Sequence, residues 1–435
     1  MIPSRPPAGN GLESVPAMPA AGAAPPAITF ALELAKALHR FGTPAHRLED
    51  VLTALSAHLG VRGSFFSTPT ALFASFEGAG ADSVHMQRLE SSETDLGKLA
   101  ELDALFNDVW YGRLGLEEAA ARVEQVVVAP PRYGPLTTLA SFALASGGAA
   151  GFFGGGWPEM VLAAAAGLVL GLLARARAGR PRLRRLFEPL GSFLVTLVVV
   201  AGAALLPGAR TDPAILGGLI VLVPGFSLTV ALTELATGHL ASGTARTAAA
   251  IVLLLQLGFG VVGGQAVGAL LFPGAAGPPP APPPAWTLWA LLPLAAGTIA
   301  LLFQVPLRDF GWVILVALGG WLGVRAGVDW LGPKLAAVLG DPRAGARLGV
   351  FLGAVLVGAG SNLYANLLDR PASVTRLPGM LFLVPGGFSF LSISELMAGD
   401  ALRGLETAAE VAVTLTALVV GFLIANAALP PRKIL

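Results

Sequence analysis

The run Leu222-Val-Pro-Gly225 recurs as Leu383-Val-Pro-Gly386, 161 positions later, and the register holds beyond the motif. Thr233-Glu-Leu235 aligns without a gap on Ser394-Glu-Leu396, and Gly238 on Gly399. Upstream, Pro-Leu-Gly-Ser-Phe-Leu at 189–194 matches Arg-Leu-Gly-Val-Phe-Leu at 347–352. A chain that repeats at this period folds as two related halves.

Each copy lies in a train of apolar runs about 17–25 residues long, the length that crosses a bilayer as a helix. Roughly ten runs are predicted, near 134–153, 157–174, 187–206, 214–238, 247–271, 286–304, 311–328, 346–367, 377–398 and 404–428. The repeating unit is therefore five spans. Two consecutive odd-numbered units must sit upside down relative to each other, the inverted-repeat plan of many secondary transporters. The composition agrees: 54% of residues are hydrophobic and 13% charged, about half the charge of a soluble chain. A formal net charge of +1 gives no global attraction to nucleic acid. With no cysteine, disulfides, thiolate metal sites and thiol nucleophiles are excluded.

The charge divides at Tyr133. Residues 28–133 hold 9 Lys/Arg and 14 Asp/Glu, and residues 134–435 hold 18 and 12. The fold predicted is mainly α: a flexible Pro/Ala-rich tail (1–27) with no signal-peptide pattern, a small cytoplasmic α+β domain (28–133), a first five-helix membrane repeat (134–275), a Pro-rich loop (276–285) and a second repeat (286–435). In the front domain, 3.6-residue periodicity predicts helices over Ile28–Arg40, His46–Leu59, Leu96–Tyr111 and Leu116–Val127, the third capped by Asp95. Three short strands lie between the second and third. Six arginines in Arg175–Arg185 hold that loop on the cytoplasmic side of the cell (inner) membrane. Basic loops around Arg308 and Arg370–Arg376 follow it, and both termini are placed inside. Arg325–Arg347, with four cations and two aspartates, runs against this pattern on the predicted outer side.

Pro224-Gly225 lies about eleven residues into its span, at about 16 Å in a hydrocarbon core roughly 30 Å thick. Pro385-Gly386 lies at the same depth in the ninth span. Proline removes an N–H and glycine lets the chain turn, so a helix broken there leaves amides that need a partner. Pro224, Gly225, Ser227 and Thr229, with Pro385, Gly386, Ser389 and Ser392, are the predicted substrate-binding residues. The competing reading is a plain proline kink satisfied by Ser/Thr side chains and neighbouring helices. Glu234 and Glu395, one toward each membrane face, are predicted to gate or to exchange a proton. Their alternative is an interfacial pair with Arg246 or Arg403. Asn362 and Asn366, four apart on one helix face, are candidates to line the pathway or to bond between helices. Gln256, Gln265 and Gln304 are further polar residues within spans, and no fixed mid-membrane arginine is apparent. Gly258, Gly260, Gly263, Gly264 and Gly268 predict close helix packing.

Gly42-Thr-Pro-Ala-His-Arg47-Leu-Glu49, then Leu59-Gly60 and Ser67-Thr-Pro-Thr70, resembles the start of the threonine/serine exporter family. The Leu-Val-Pro-Gly…Glu-Leu…Gly signatures resemble the rest of it, over about residues 28–430. The resemblance implies a cytoplasmic domain followed by five plus five spans. It further implies efflux of threonine and serine driven by the proton-motive force, or dicarboxylate (succinate) export as in split relatives. The front domain of some relatives has been likened to a hydrolase. Here it shows no H-E-x-x-H or G-x-S-x-G, its histidines read as surface or capping residues, and Arg47 and Glu49 read as holding the domain together or contacting the membrane body.

The predicted function is a non-enzymatic secondary exporter whose partners are a small amino-acid substrate, protons and the lipid bilayer, with no cofactor, metal or nucleic acid. Self-association stays open. A membrane-tethered hydrolase and a channel lined by the two broken helices are the alternatives. No Walker-type loop is present, so ATP is not its direct energy source.

Overall fold

The computed structural model describes residues 25–77, 83–89, 94–206, 208–272, 283–284, 286–383, 386–397 and 399–431. Most of the predicted tail, most of the Pro-rich loop and Pro385 lie outside the described residues.

The front segment forms α1 (Pro26–Arg40), α2 (Ala45–His58), β1 (Arg62–Thr68), β2 (Ala71–Glu77), β3 (Ser83–Arg88), α3 (Leu96–Trp110) and α4 (Leu116–Val128). The strands pair antiparallel in the order β1-β2-β3. Alternation decides the buried face: Leu72, Ala74 and Phe76 of β2 point inward against Leu34, Leu38, Leu48 and Leu52 of α1 and α2. Gly42 and Gly60, just past the ends of α1 and α2, have φ of +97° and +73°, where a side chain would be strained. Asp95 Oδ1 accepts from Lys98 N at 2.9 Å, the expected cap of α3.

The helical body follows as α5 (Pro135–Phe152), α6 (Trp157–Ala176), α7 (Pro181–Arg185), α8 (Phe187–Leu205), α9 (Thr211–Leu219), α10 (Gly225–Ala236) and α11 (Leu240–Leu271). Then come α12 (Thr287–Leu302), α13 (Phe310–Arg325), α14 (Gly332–Leu339), α15 (Ala344–Leu368), α16 (Ser373–Met380), α17 (Gly386–Met397) and α18 (Ala401–Ala428). Among the described residues six helical stretches are long and apolar enough to cross a membrane: 157–176, 187–205, 240–271, 307–339, 344–368 and 401–428. The predicted glycine packing is seen where α11 crosses α8. A Cβ built at Gly264 would lie 2.7 Å from Thr196 Cβ, and one at Gly268 2.7 Å from Val200 Cγ1.

One expected loop is helical instead. Residues 326–331 continue α13 as a turn of π-helix into α14. The charges of this region are matched locally: Arg325 pairs with Asp329 at 2.7 Å, and Arg347 with Asp341 at 2.7 Å and Glu410 at 2.6 Å. Paired charges carry little net positive character.

The front segment docks on both halves of the body. Leu96 N donates to Phe303 O at 2.9 Å and Tyr133 N to Gln304 Oε1 at 3.1 Å, at the connection after α12. Gln304 itself stands at φ +58°, an uncommon conformation for a residue with a side chain. The opposite dock, on α10 and α11, forms the site.

Candidate functional site

The two Pro-Gly segments break their helices and meet. The fourth predicted run divides into α9 and α10 across residues 220–224, and the ninth into α16 and α17 ahead of Gly386. A Cβ built at Gly386 would lie 3.2 Å from Val223 Cγ1 and 3.6 Å from Gly225 Cα, so the two breaks touch backbone to backbone. Part of the unwound segment satisfies itself: Gly225 N donates to Val223 O at 2.8 Å and Leu222 N to Leu219 O at 2.8 Å. Thr229 Oγ1 turns back to Gly225 O at 3.1 Å.

Glu234, near the C-terminal end of α10, is fully buried, and four donor contacts converge on its carboxylate. Ala45 N, the first residue of α2, donates to Oε1 at 2.9 Å, and Ser242 Oγ donates to Oε2 at 2.8 Å. Arg246 Nε lies 3.2 Å from Oε1 and 3.1 Å from Oε2. Beside this contact, Glu49 Oε1 accepts from Ser67 N at 2.7 Å while Oε2 lies 3.4 Å from His239 Nε2. Glu49 therefore both holds the front segment together and touches the body, and burial raises its pKa above the usual carboxylate value. The repeat mate of Glu234 differs. Glu395 Oε2 accepts from Thr407 Oγ1 at 2.8 Å, and Thr407 stands where the 161-residue offset places Arg246. Glu395 lines an open recess with Arg403, Glu406 and Glu410.

A cavity of about 290 Å³ lies under the front segment. Thr43, His46 and Arg47 line it from the Gly-Thr-Pro-Ala-His-Arg motif, Thr229 and Thr233 from α10, and Arg376 from α16. Phe422 and Asn426 of α18 close another wall. Arg376 is held by side-chain amides: its Nη2 donates to Asn426 Oδ1 at 2.9 Å and to Asn362 Oδ1. Asn362 Nδ2 in turn donates to Asn426 Oδ1 at 3.0 Å and Leu429 O at 2.7 Å. Three buried atoms of lining residues have no hydrogen-bond partner among the described residues: Thr43 Oγ1, His46 Nδ1 and Arg376 Nε. Burial, then the positive charge of Arg47, lowers the His46 pKa to about 4, so the ring is neutral at pH 7. Burial also pulls Arg47 below its usual value, with Asp50 opposing.

Of the predicted binding residues, Thr229 lines the cavity, Pro224 and Gly225 form the break above it, and Gly386 meets that break. Ser227 sits in the first turn of α10 outside the cavity lining. Ser389 and Ser392 are buried in α17, and Ser392 Oγ donates to Gly404 O at 2.7 Å. Asn362 positions Arg376, and Asn366 Nδ2 donates to Pro430 O at 3.2 Å.

Sequence reasoning missed Arg376. The sequence alone places it in a basic loop with Arg370 and shows no fixed mid-membrane arginine. Arg370 does lie outside a helix, paired with Asp309. Arg376 instead falls in the second turn of α16 and faces the cavity. The repeat carries the missing signal, because the same offset puts Ile215 at this position in the first copy. A charge that one copy has and the other lacks marks an asymmetric use.

A threonine/serine exporter (ThrE) family model matches residues 29–268, and a second, "Threonine/Serine exporter, ThrE", matches residues 289–428. Curated relatives include pheromone-regulated membrane protein 10 of Yarrowia lipolytica, 27% identical over 82% of this chain and 30% of its own length. The protein of that name from Saccharomyces cerevisiae is 25% identical over 85% of this chain and 47% of its own. The chain thus spans about a third to a half of the length of these relatives. No solved structure matches it. With one family model on each half and several helices able to span a bilayer, the chain is a multi-pass membrane protein belonging to the threonine/serine exporter family.

Proposed function

We propose that the protein is a secondary exporter of small polar metabolites, L-threonine and L-serine first among them, working by alternating access. The observation that carries this reading is the contact of the two broken helices at Gly225 and Gly386, directly beyond a cavity that reaches Thr229. Broken helices meeting at mid-depth are how many carriers build a site that can open to either side. In this reading α5–α18 make ten spans as two inverted five-span units in the cell membrane, with both termini and the front domain in the cytoplasm. Substrate enters the cavity beneath the front domain, passes to the Gly225–Gly386 contact and leaves as the halves rock. Glu395, whose carboxyl meets a hydroxyl and an open recess, exchanges the proton. Glu234 serves as a latch, since its oxygens are already committed to an arginine, a serine and a backbone amide.

A dicarboxylate substrate is the second reading, favoured by the two arginines of the cavity. The test is counterflow: purified protein in liposomes loaded with unlabelled threonine, scored for uptake of labelled threonine with and without a pH gradient. Exchange that succinate cannot replace establishes the amino-acid carrier. Exchange with succinate but not with threonine or serine transfers the same cycle to dicarboxylates. Absence of exchange with all three overturns the carrier.

A further inference from the structure

The cavity beneath the front segment is made by both parts of the chain, and its charged lining sets two arginines against one carboxylate among the described residues. Arg376 reaches it from α16 and Arg47 from α2, whereas the buried carboxylate of Glu234 is not among its lining groups. Asp50, the lining carboxylate, is exposed and its charge acts on Arg47. The guanidinium of Arg376 is fixed by Asn362 and Asn426 through Nη2, which leaves Nε buried and without a partner. A buried donor that forgoes its bond carries an unrepaid desolvation cost, larger when it is charged. Thr43 Oγ1 and His46 Nδ1 are left in the same condition on the facing wall. A guanidinium fixed at one end with a free donor at the other is poised for a planar oxyanion. The hydroxyl and the neutral imidazole can accept as well as donate.

We propose that this cavity is a carboxylate-binding site built jointly by the front domain and the membrane body. Arg376 Nε and Arg47 receive the carboxylate, and Thr43 Oγ1 with His46 Nδ1 takes the hydrogen-bonding group beside it. The front domain then supplies half of the loading site. Glu234 contributes indirectly, by fixing the first turn of α2 from which His46 and Arg47 project. The proposal rests on the exporter reading for the identity of the physiological ligand, and the ligand chemistry is common to an amino acid and a dicarboxylate.

The test is binding to the full-length protein in nanodiscs, with L-threonine, L-threoninamide and succinate as probes. Threoninamide keeps the hydroxyl and amine and removes the negative charge. Wild-type protein is expected to bind threonine or succinate at least tenfold more tightly than threoninamide. Arg47→Gln and Arg376→Lys should each weaken carboxylate binding at least tenfold and leave threoninamide unchanged. Thr43→Val, which leaves every charge in place, checks the facing wall and should weaken threonine more than succinate. Unliganded melting temperatures identify any variant that fails to fold, and because Arg376 is tied to two asparagines, Arg47→Gln is the deciding variant. Threoninamide bound as tightly as both threonine and succinate, wild-type affinity in Arg47→Gln, or no binding of any carboxylate overturns the site. Counterflow on the same preparations separates the two readings. Wild-type half-saturation in Arg47→Gln would discard the site and keep the carrier. Carboxylate binding lost in Arg47→Gln, without counterflow in the wild type, would keep the site and discard the carrier.

Discussion

Glu234 Oε1 accepts a 2.9 Å hydrogen bond from the backbone N–H of Ala45, a residue 189 positions away in the front segment. The same carboxylate meets Arg246, so one buried ion pair anchors the entry of α2 and the turn between α10 and α11. On the other half, Leu96 and Tyr133 hold the connection after α12. The front segment therefore bridges the two halves, and a rocking motion between them has to strain or release one of these docks.

Glu234→Gln removes the charge that Arg246 and Ala45 N both use. Breaking one member of a buried pair typically costs about 3–5 kcal/mol, and Arg246 is partly accessible, so the lower end is expected. Thermal unfolding should show the loss, and limited proteolysis should cut earlier near residues 41–45. A melting temperature equal to the wild type would mean that the front segment is held elsewhere.

Glu395→Gln leaves a side chain that still fills the recess and still bonds to Thr407, but it cannot titrate. Counterflow at fixed pH is expected to stay within about twofold, because rocking and binding are untouched, while pH-gradient-driven flux is lost. Flux that follows the gradient unchanged would remove Glu395 from proton coupling.

His39 couples the front segment to pH. It is almost fully buried, its Nε2–H donates to Pro69 O at 3.1 Å, and burial followed by the charge of Arg246 lowers its pKa to about 4. The unfolded histidine, with a pKa near 6.5, binds a proton first as the pH falls. Stability is therefore full above about pH 6.5, declines between 6.5 and 4, and levels below 4. The slope is about 1.4 kcal/mol per pH unit at its steepest, with His46 adding a similar contribution. Glu49, whose pKa is raised, acts in the opposite sense, because its folded form holds the proton to higher pH. His39→Gln should flatten the fall in melting temperature between pH 6.5 and 4. A wild-type pH profile in that variant would place the sensitivity elsewhere.

Much of this arrangement is legible in the sequence because it is local. Apolar runs mark the helices, alternation marks β2, and Pro-Gly marks both breaks. Glu49 is read correctly in kind, since an acidic residue on an otherwise amphipathic helix needs a partner. Arg376 is not legible in that way. Positive residues next to a span read as a loop, and only the tertiary arrangement, in which α16 packs on α13 and α15, shows that Asn362 and Asn426 hold its guanidinium at the cavity. The helical course of residues 326–339 is hidden for a related reason, because Arg325 and Arg347 look like loop charges until their acidic partners are placed. The bond from Ala45 to Glu234 joins segments that no periodicity relates.

The contact of the two breaks offers the most direct test of motion. A Cβ on Gly386 would lie 3.6 Å from Gly225 Cα, which puts the two Cα atoms within about 5 Å, inside the reach of a disulfide, whose Cα atoms stand about 4.4–6.8 Å apart. Because the chain has no native cysteine, Gly225→Cys with Gly386→Cys introduces an isolated pair. Oxidation is expected to cross-link the two half-helices, visible as a mobility shift after cleavage between the halves, and to arrest counterflow until a reductant restores it. Each single variant should retain part of its activity, since a cysteine side chain is small but the gap to Val223 is already tight. Efficient cross-linking with undiminished counterflow would show that Gly225 and Gly386 stay together throughout the cycle, and that the halves move about this contact rather than across it.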